Sequence, residues 1–261
     1  MKSIQSTENP FFKDLVKLSG TVRQRKKSNQ TLLDGVHLLE AYLDAGLIPQ
    51  HILLDTATKM NEGVSALLKR VSEVAITKLD DKLFAELSKL KSHTGILALI
   101  AIPQPRESIV DCSFVLLLED IQDPGNLGSI LRSAAAAGCD AVFLSPGCAD
   151  AWSPKVLRAA MGGHFALDIY EQQDLLGVAE AFSGKLLATT LQTKYSLYDS
   201  DLSGKIAFMI GNEGAGLSAK LLKLATNTIT IPMPGKVESL NAAASAAICL
   251  FETVRQRFAA V

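Results

Sequence analysis

The sequence is poor in the features that would place it in several protein classes at once. Its 261 residues hold four cysteines, Cys112, Cys139, Cys148 and Cys249. No two of them stand in C-x-x-C spacing, which argues against a zinc site or any other metal and against a disulfide framework. Reduced, buried thiols in a cytoplasmic protein are expected instead. No apolar run reaches the ~18 residues of a membrane span, and the opening MKSIQSTENP lacks the apolar stretch of a secretory signal. Neither sign of charge dominates: 26 Lys and Arg stand against 27 Asp and Glu, a net charge of -1, so the chain is not a polyanion binder by composition. No glycine-rich stretch ends in G-K-[ST], which excludes a Walker P-loop. The turn GNEGAG runs G-x-x-G-x-G and not the G-x-G-x-x-G of dinucleotide sites. Internal repeats and low-complexity tracts are absent too.

What is present is enough for a substantial core. The apolar fraction is 48%, and at roughly 150 residues per domain the length points to two domains. In the first part Asn9-Pro10 opens a helix, since proline suits a position whose N–H needs no partner. QTLLDG reads as a strand, VHLLEAYLDAG as a helix, HILLD as a strand, EGVSALLKRV as a helix, EVAIT as a strand, DKLFAELSKL as a helix and TGILALIA as a strand. This alternation predicts a compact α/β domain over residues 1–100. AIPQPRESIVDC, residues 101–112, has two prolines and no periodicity and is read as a linker. Over 113–261 the strands FVLLLED, DAVFLS, FALDIY, GKLLATT, KIAFMIG and TITIPM are near-continuous apolar runs. They predict a parallel sheet covered on both faces. Helices are expected from Ser153-Pro154 and from Ser239 to near Arg257.

Charge is locally uneven. Residues 1–30 hold seven Lys or Arg against two Asp or Glu, and Arg23, Arg25, Lys26 and Lys27 stand together in TVRQRKKSNQ. That stretch reads either as a solvated loop or as a phosphate-contacting arm, because nucleic-acid binding needs a basic patch and not a basic average.

In an open parallel sheet, ligands bind beyond the carboxyl ends of the strands, and three unusual turns fall there. DPGNLGSILR carries Asn126 and Arg132, the latter a lone charge in a small-residue helix. GNEGAGLS carries Glu213, which would repel a phosphate and suits a cationic or hydroxyl-bearing ligand. PMPGKVESLN carries Ser239, a candidate helix N-cap, and Asn241, a mediocre residue for a helix interior. The alanines of AAASAA leave room either for a ligand or for a closely packed helix.

DPGNLGSILRSAAAAG, GNEGAGLS and IPMPGKVESLNAAASAAICLFE, in this order, closely resemble the SpoU (TrmH-like) family of RNA ribose 2′-O-methyltransferases, over residues 113–257. NPFFKDLVKL, LLDGVHLLEAYL and HTGILALI resemble the family's ribosomal-protein-like RNA-binding extension. The resemblance implies S-adenosylmethionine as methyl donor, a C-terminal trefoil knot, a homodimer with sites near the subunit interface, and RNA as substrate. Ribosomal RNA is favoured, with transfer RNA open.

It also implies the site. Asn126, Arg132, Glu213, Ser239 and Asn241 are the motif side chains, and Arg132 is the residue that acts on the ribose hydroxyl. A guanidinium stays protonated, so Arg132 is expected to hold a phosphate and stabilise the alkoxide rather than take its proton. Thr189, Gly211, Ile231, Met233 and Leu240 map onto the cofactor pocket. Where the family often reads SLNVSVA this chain reads SLNAAAS, so Ala243 replaces a hydroxyl. His164, after Gly162-Gly163, is either a base suited by its pKa or a packed loop histidine. A dinucleotide-dependent oxidoreductase and a non-catalytic RNA-binding module are the competing classes.

Overall fold

Asn9 opens the first helix as its sequence demands: the side chain accepts from Phe12 N at 3.3 Å, with Pro10 at the first helical position. The computed structural model describes residues 2–57, 62–88, 93–106 and 112–259. Residues 107–111 of the expected linker, and the end of the helix expected at Lys89–Leu90, lie outside the described residues. By internal packing the chain forms two units, Met1–Pro103 with Trp152–Phe165, and Gln104–Ala151 with Ala166–Val261.

The first unit runs β1 (Lys2–Ile4), α1 (Pro10–Gly20), α2 (Val22–Ser28), β2 (Gln30–Asp34), α3 (Val36–Asp44), β3 (His51–Asp55), α4 (Glu62–Arg70), β4 (Ile76–Leu79), α5 (Asp81–Ser88) and β5 (Ile96–Ala101). The strands form one mixed sheet in the order β1-β4-β3-β5-β2. β5 pairs antiparallel with both β2 and β3. Phe12, Leu15 and Leu18 of α1 and Phe84 and Leu87 of α5 bury their apolar faces with strand residues Leu32, Leu53 and Leu97. The strand expected at EVAIT lies further on, at Ile76–Leu79, where it pairs with both β3 and β1.

The basic stretch is neither a loop nor an open arm. It is α2, ended by Asn29 in the left-handed conformation (φ 52°). Arg23, Lys26 and Lys27 are exposed, but Arg25 is 3% exposed and its guanidinium donates to the Leu18 carbonyl. Arg25 therefore holds α1 and α2 together and is not available for the phosphate contact expected of it; of the expected quartet only Arg23, Lys26 and Lys27 stand at the surface.

Residues 152–165 were expected to belong with the second segment, but they pack within the first unit. This segment carries α7 (Pro154–Ala160), started by a Ser153 cap. Thr31 Oγ1 donates to Trp152 O at 2.8 Å, and Phe165 meets Tyr42 edge-on at 5.1 Å. His164 lies in this segment, 2% exposed and 4.9 Å from the Trp152 ring. It is a packed histidine and not an accessible base. The strand expected over FALDIY is correspondingly short. Gly163–Ala166 form a 3-10 turn, and only Asp168–Tyr170 are extended.

The second unit holds β6 (Phe114–Leu118), α6 (Pro124–Ala136), β7 (Ala141–Leu144), β8 (Asp168–Tyr170), α8 (Leu175–Ala181), β9 (Lys185–Thr189), β10 (Ile206–Ile210), α9 (Ala219–Leu224), β11 (Asn227–Ile229) and α10 (Ala242–Ala259). Its six strands run in the order β11-β9-β10-β6-β7-β8, every pairing parallel. β6 and β10 are buried at every position, as continuous apolar runs between two helical layers must be. The small residues of α6 and α10 meet: the helices pack together, with Gly128, Ala134, Ala242 and Ala246 buried. Of the cysteines, Cys112, Cys139 and Cys249 are buried and Cys148 half-buried, and none forms a disulfide. Burial pushes the Cys249 thiol up to about 12, which makes it inert. No helix among the described residues is long and apolar enough to cross a membrane.

Candidate active site

The site is built where the order of the second sheet reverses. β6 and β10 are neighbours and end together, Leu118 opposite Ile210, with Glu119 N donating to Ile210 O at 2.9 Å. Chain leaving two adjacent parallel strands at such a point diverges and leaves a crevice. From β6 the chain enters α6, whose start is fixed by Pro124 and by Asp123, which accepts from Asn126 N at 2.8 Å. From β10 it enters the Gly211–Gly216 turn. α10 begins beside both.

Three motif side chains join these starts. Asn241 Oδ1 accepts from Ala243 N at 2.8 Å and Ala244 N at 3.1 Å, so Asn241 caps α10 and Ser239 does not. This corrects the expected start at Ser239. Asparagine is a poor interior residue and among the best caps. With its oxygen committed to the helix, the Asn241 amide nitrogen donates to Asn126 Oδ1 at 2.7 Å. The Asn126 nitrogen then donates to the Glu213 carboxylate. The backbone amides of α10 thus fix the orientation of two side-chain amides in series. At the end of the relay the Glu213 carboxyl accepts from Asn126.

Beside the relay lies a cleft of about 300 Å³, at the lower end of the range for small-molecule sites. Thr189, Gly211, Ile231, Met233 and Leu240 all line it, together with Ser239 and Glu213. Its walls are the ends of three strands: Thr189 stands opposite Ile229, and its hydroxyl donates to Met209 O at 3.1 Å. A Cβ on Gly211 would lie 2.2 Å from both C and O of Gly216, so the turn closes over Gly211 with no room to spare. Ser245, two residues beyond the hydroxyl missing at Ala243, lines the wall. Glu213 is the one ionisable lining residue. A wall that carries one carboxylate and no cation suits a sulfonium and opposes the phosphates of a dinucleotide.

The structure does not bring Arg132 into the cleft. It is exposed on α6, outside the lining residues, and its guanidinium makes no hydrogen bond or ion pair among the described residues. Six residues separate it from Asn126, about 9 Å along the helix axis. At 100° per residue the two side chains also leave the helix about 120° apart, so Arg132 is not stacked over Asn126.

Two residues passed over in the sequence belong to the site. Asn212 Nδ2 donates to Asp120 O at 3.0 Å, and its Oδ1 accepts from Gly214 N at 2.8 Å. Glu119 accepts from Ser218 N at 2.7 Å. Asparagine inside a glycine-rich turn was the available signal, since its side chain commonly closes turns of this kind. In the first unit Asp55, Asp81 and His93 place ligand-type atoms within 4.8 Å of one another. The motif residues take no part in that grouping, and Asp55 Oδ1 is engaged by Ala57 N at 2.9 Å.

Comparison with known proteins agrees with this arrangement. Residues 113–251 match the model of the SpoU rRNA methylase family, and residues 9–98 match an MRM3-like substrate-binding domain. An uncharacterised tRNA/rRNA methyltransferase of Synechocystis is 36% identical, over 99% of this chain and 95% of its own. The 23S rRNA (guanosine-2′-O)-methyltransferase RlmP of Bacillus subtilis is 34% identical over 96% and 98%. Among solved structures, the SpoU methyltransferase AviRb of Streptomyces viridochromogenes, in complex with AdoMet, aligns over 96% of this chain and all of its own, with a TM-score of 0.83 and 27% identity. With three motif loops joined at one crevice and that likeness extending over nearly its whole length, the chain belongs to the SpoU rRNA methylase family.

Proposed function

We propose that this protein transfers a methyl group from S-adenosylmethionine to a ribose 2′-hydroxyl of ribosomal RNA. The observation that carries the reading is the relay from α10 through Asn241 and Asn126 to Glu213, set against a cleft whose one ionisable wall group is anionic. S-adenosylmethionine, when bound, supplies an electrophilic methyl on a sulfonium. Thr189, Gly211, Ile231, Met233 and Leu240 would hold it through strand-end backbone and apolar side chains. Glu213, oriented by Asn126, favours positive charge in the cleft. Ser239, exposed at its rim, is placed to meet the incoming RNA.

Arg132, exposed on α6, supplies the fixed positive charge. A ribose hydroxyl is a poor nucleophile, and charge develops on its oxygen as it attacks. A guanidinium hydrogen-bonded to that oxygen and to the adjacent phosphate stabilises the developing alkoxide. The proton passes to water or to a phosphate oxygen, since arginine cannot accept it. Holding both reactants in line is worth as much as ~7–11 kcal/mol of the barrier.

The same reading takes residues 1–100 as the RNA-binding segment, 101–112 as a linker and 113–261 as the transferase, supported by the two family-model matches. It includes a homodimer, a trefoil knot in the second unit and a cytoplasmic location, all in keeping with the family. The oxidoreductase alternative is opposed by the cation-free cleft. The non-catalytic alternative is opposed by the presence of every motif side chain. Transfer RNA is the second substrate to test.

The test is methyl transfer from radiolabelled S-adenosylmethionine to ribosomal RNA and to transfer RNA, followed by mapping of 2′-O-methyl positions. Label at one ribosomal nucleotide is expected. Label confined to transfer RNA, or none on any RNA, sinks the substrate assignment.

RNA affinity has its own test. Replacing Arg23, Lys26 and Lys27 together with alanine is expected to weaken binding and to reduce the slope of log K against log salt by about 2–3, roughly 0.9 for each lost phosphate contact. Arg25→Ala is expected instead to lower the melting temperature, because it removes a buried link between helices. An unchanged salt slope in the triple variant returns α2 to a solvated face.

A further inference from the structure

Asp120 is one of four non-glycine residues among those described with positive φ (56°), a conformation uncommon for L-residues and better tolerated by aspartate than by most. Ser145, 7% exposed, holds it there. Its hydroxyl accepts from Asp120 N at 2.9 Å and donates to Asp120 Oδ1 at 2.7 Å. Its own N donates to Leu118 O at 3.0 Å. On the other side a Cβ at Gly147 would lie 2.1 Å from Asp120 Oδ1 and 2.6 Å from Cγ. The carboxylate fills the space that any side chain at position 147 would occupy.

This clamp sets the direction of one carbonyl. Asp120 O accepts from Asn212 Nδ2 at 3.0 Å. Asn212 in turn shapes the turn after β10: Oδ1 accepts from Gly214 N at 2.8 Å and Ala215 N at 3.2 Å, and the backbone O accepts from Gly216 N at 2.8 Å. Residues 211–217 line the cleft; Asp120, Ser145 and Gly147 do not. Were Asp120 to relax to negative φ, its carbonyl would swing away and Asn212 would lose the partner that fixes its amide.

We propose that Ser145 is a positioning residue for the methyl donor. By locking Asp120 in the left-handed conformation it sets the Gly211–Gly216 turn, and so controls affinity for S-adenosylmethionine from outside the cleft. This rests on the cleft being the donor site.

The experiment is calorimetric titration of the full chain with S-adenosylhomocysteine, with melting curves to verify folding. Ser145→Ala is expected to raise Kd about tenfold, a coupling of ordinary size for a contact of this kind. At saturating donor its kcat is expected to change far less than its KM. In an Asp120→Gly background the Ser145→Ala effect disappears, because glycine takes positive φ unaided and has no carboxylate to lock. Gly147→Ala supplies an independent perturbation should Ser145→Ala fold poorly. It weakens donor binding in the wild type by expelling the carboxylate, and is relieved by Asp120→Gly. An unchanged Kd in both single variants overturns the proposal, as does an equal loss in both backgrounds, the mark of a packing role. Failure of the wild type to bind S-adenosylhomocysteine would overturn the donor-site reading as well.

Discussion

Arg132→Ala is expected to lower kcat for methyl transfer by at least about a hundredfold, the scale on which loss of one oxyanion-stabilising donor is felt, with the donor Kd nearly unchanged. The separation follows from position. Arg132 is outside the cleft lining and exposed on α6, so removing it takes nothing from the donor's surroundings. On the proposed reading it removes the fixed positive charge that meets the RNA. Single-turnover methylation measured beside calorimetric donor titration makes the distinction. Arg132→Lys sharpens it: an ammonium keeps the charge but lacks the planar fork that spans a phosphate and a neighbouring oxygen. Lysine is expected to restore RNA affinity more than rate. Full turnover in Arg132→Ala would show that the hydroxyl is activated elsewhere. A parallel loss of donor binding would mean that the guanidinium reaches the cleft after all.

The second unit was legible in the sequence because its signals are local. A strand buried on both faces reads as an unbroken apolar run, and Phe114–Leu118 and Ile206–Ile210 need no partner to be recognised. Ser153-Pro154 announces its helix start by local chemistry, and Ser153 acts as the cap; Asp123-Pro124 reads as part of a turn and is likewise a capped helix start. What escaped depends on chain brought from far away. Arg25 looks like part of a solvated charge run until Leu18 presents a carbonyl to it; seven residues with one apolar member, Val22, cannot reveal a buried face. Trp152–Phe165 follows a strand of the second sheet, yet its packing partners, Thr31 and Tyr42, lie more than a hundred residues earlier.

The site shows the same division. The five cofactor-pocket positions were carried over from the family's motifs, and all five line one cleft. Asn241 was noticed for the wrong reason, as an awkward helix residue, when it is the cap itself. Its second bond, to Asn126 across 115 residues, has no trace in either stretch taken alone. Asp120 and Ser145 were invisible for a related reason: left-handed backbone at an aspartate is a property of the fold, and no neighbouring residue type signals it.

The glycines of the GNEGAG turn can be ranked by what each would meet. Gly211→Ala is expected to weaken donor binding by at least about a hundredfold, equivalent to about 2.7 kcal/mol. Its Cβ would stand 2.2 Å from C and O of Gly216 and 2.5 Å from Leu217 N. These are backbone atoms with no rotamer to yield, so the turn itself must open. Opening it breaks the Gly216 N to Asn212 O bond of 2.8 Å and displaces the wall that Asn212 and Leu217 contribute to the cleft. Gly214→Ala meets only Asn212 Oδ1 at 3.4 Å, which a small adjustment accommodates, and binding should change little. Gly216→Ala falls between: nothing crowds its Cβ, but φ is +68°, at a cost of about 1–2 kcal/mol for an L-residue. The order Gly211, Gly216, Gly214 in calorimetric affinity, at similar melting temperatures, is the expected result. A general need for flexibility in the turn would penalise all three alike. A crowded turn held rigid against the donor penalises Gly211 far above the rest, and Gly214→Ala binding more weakly than Gly211→Ala would refute it.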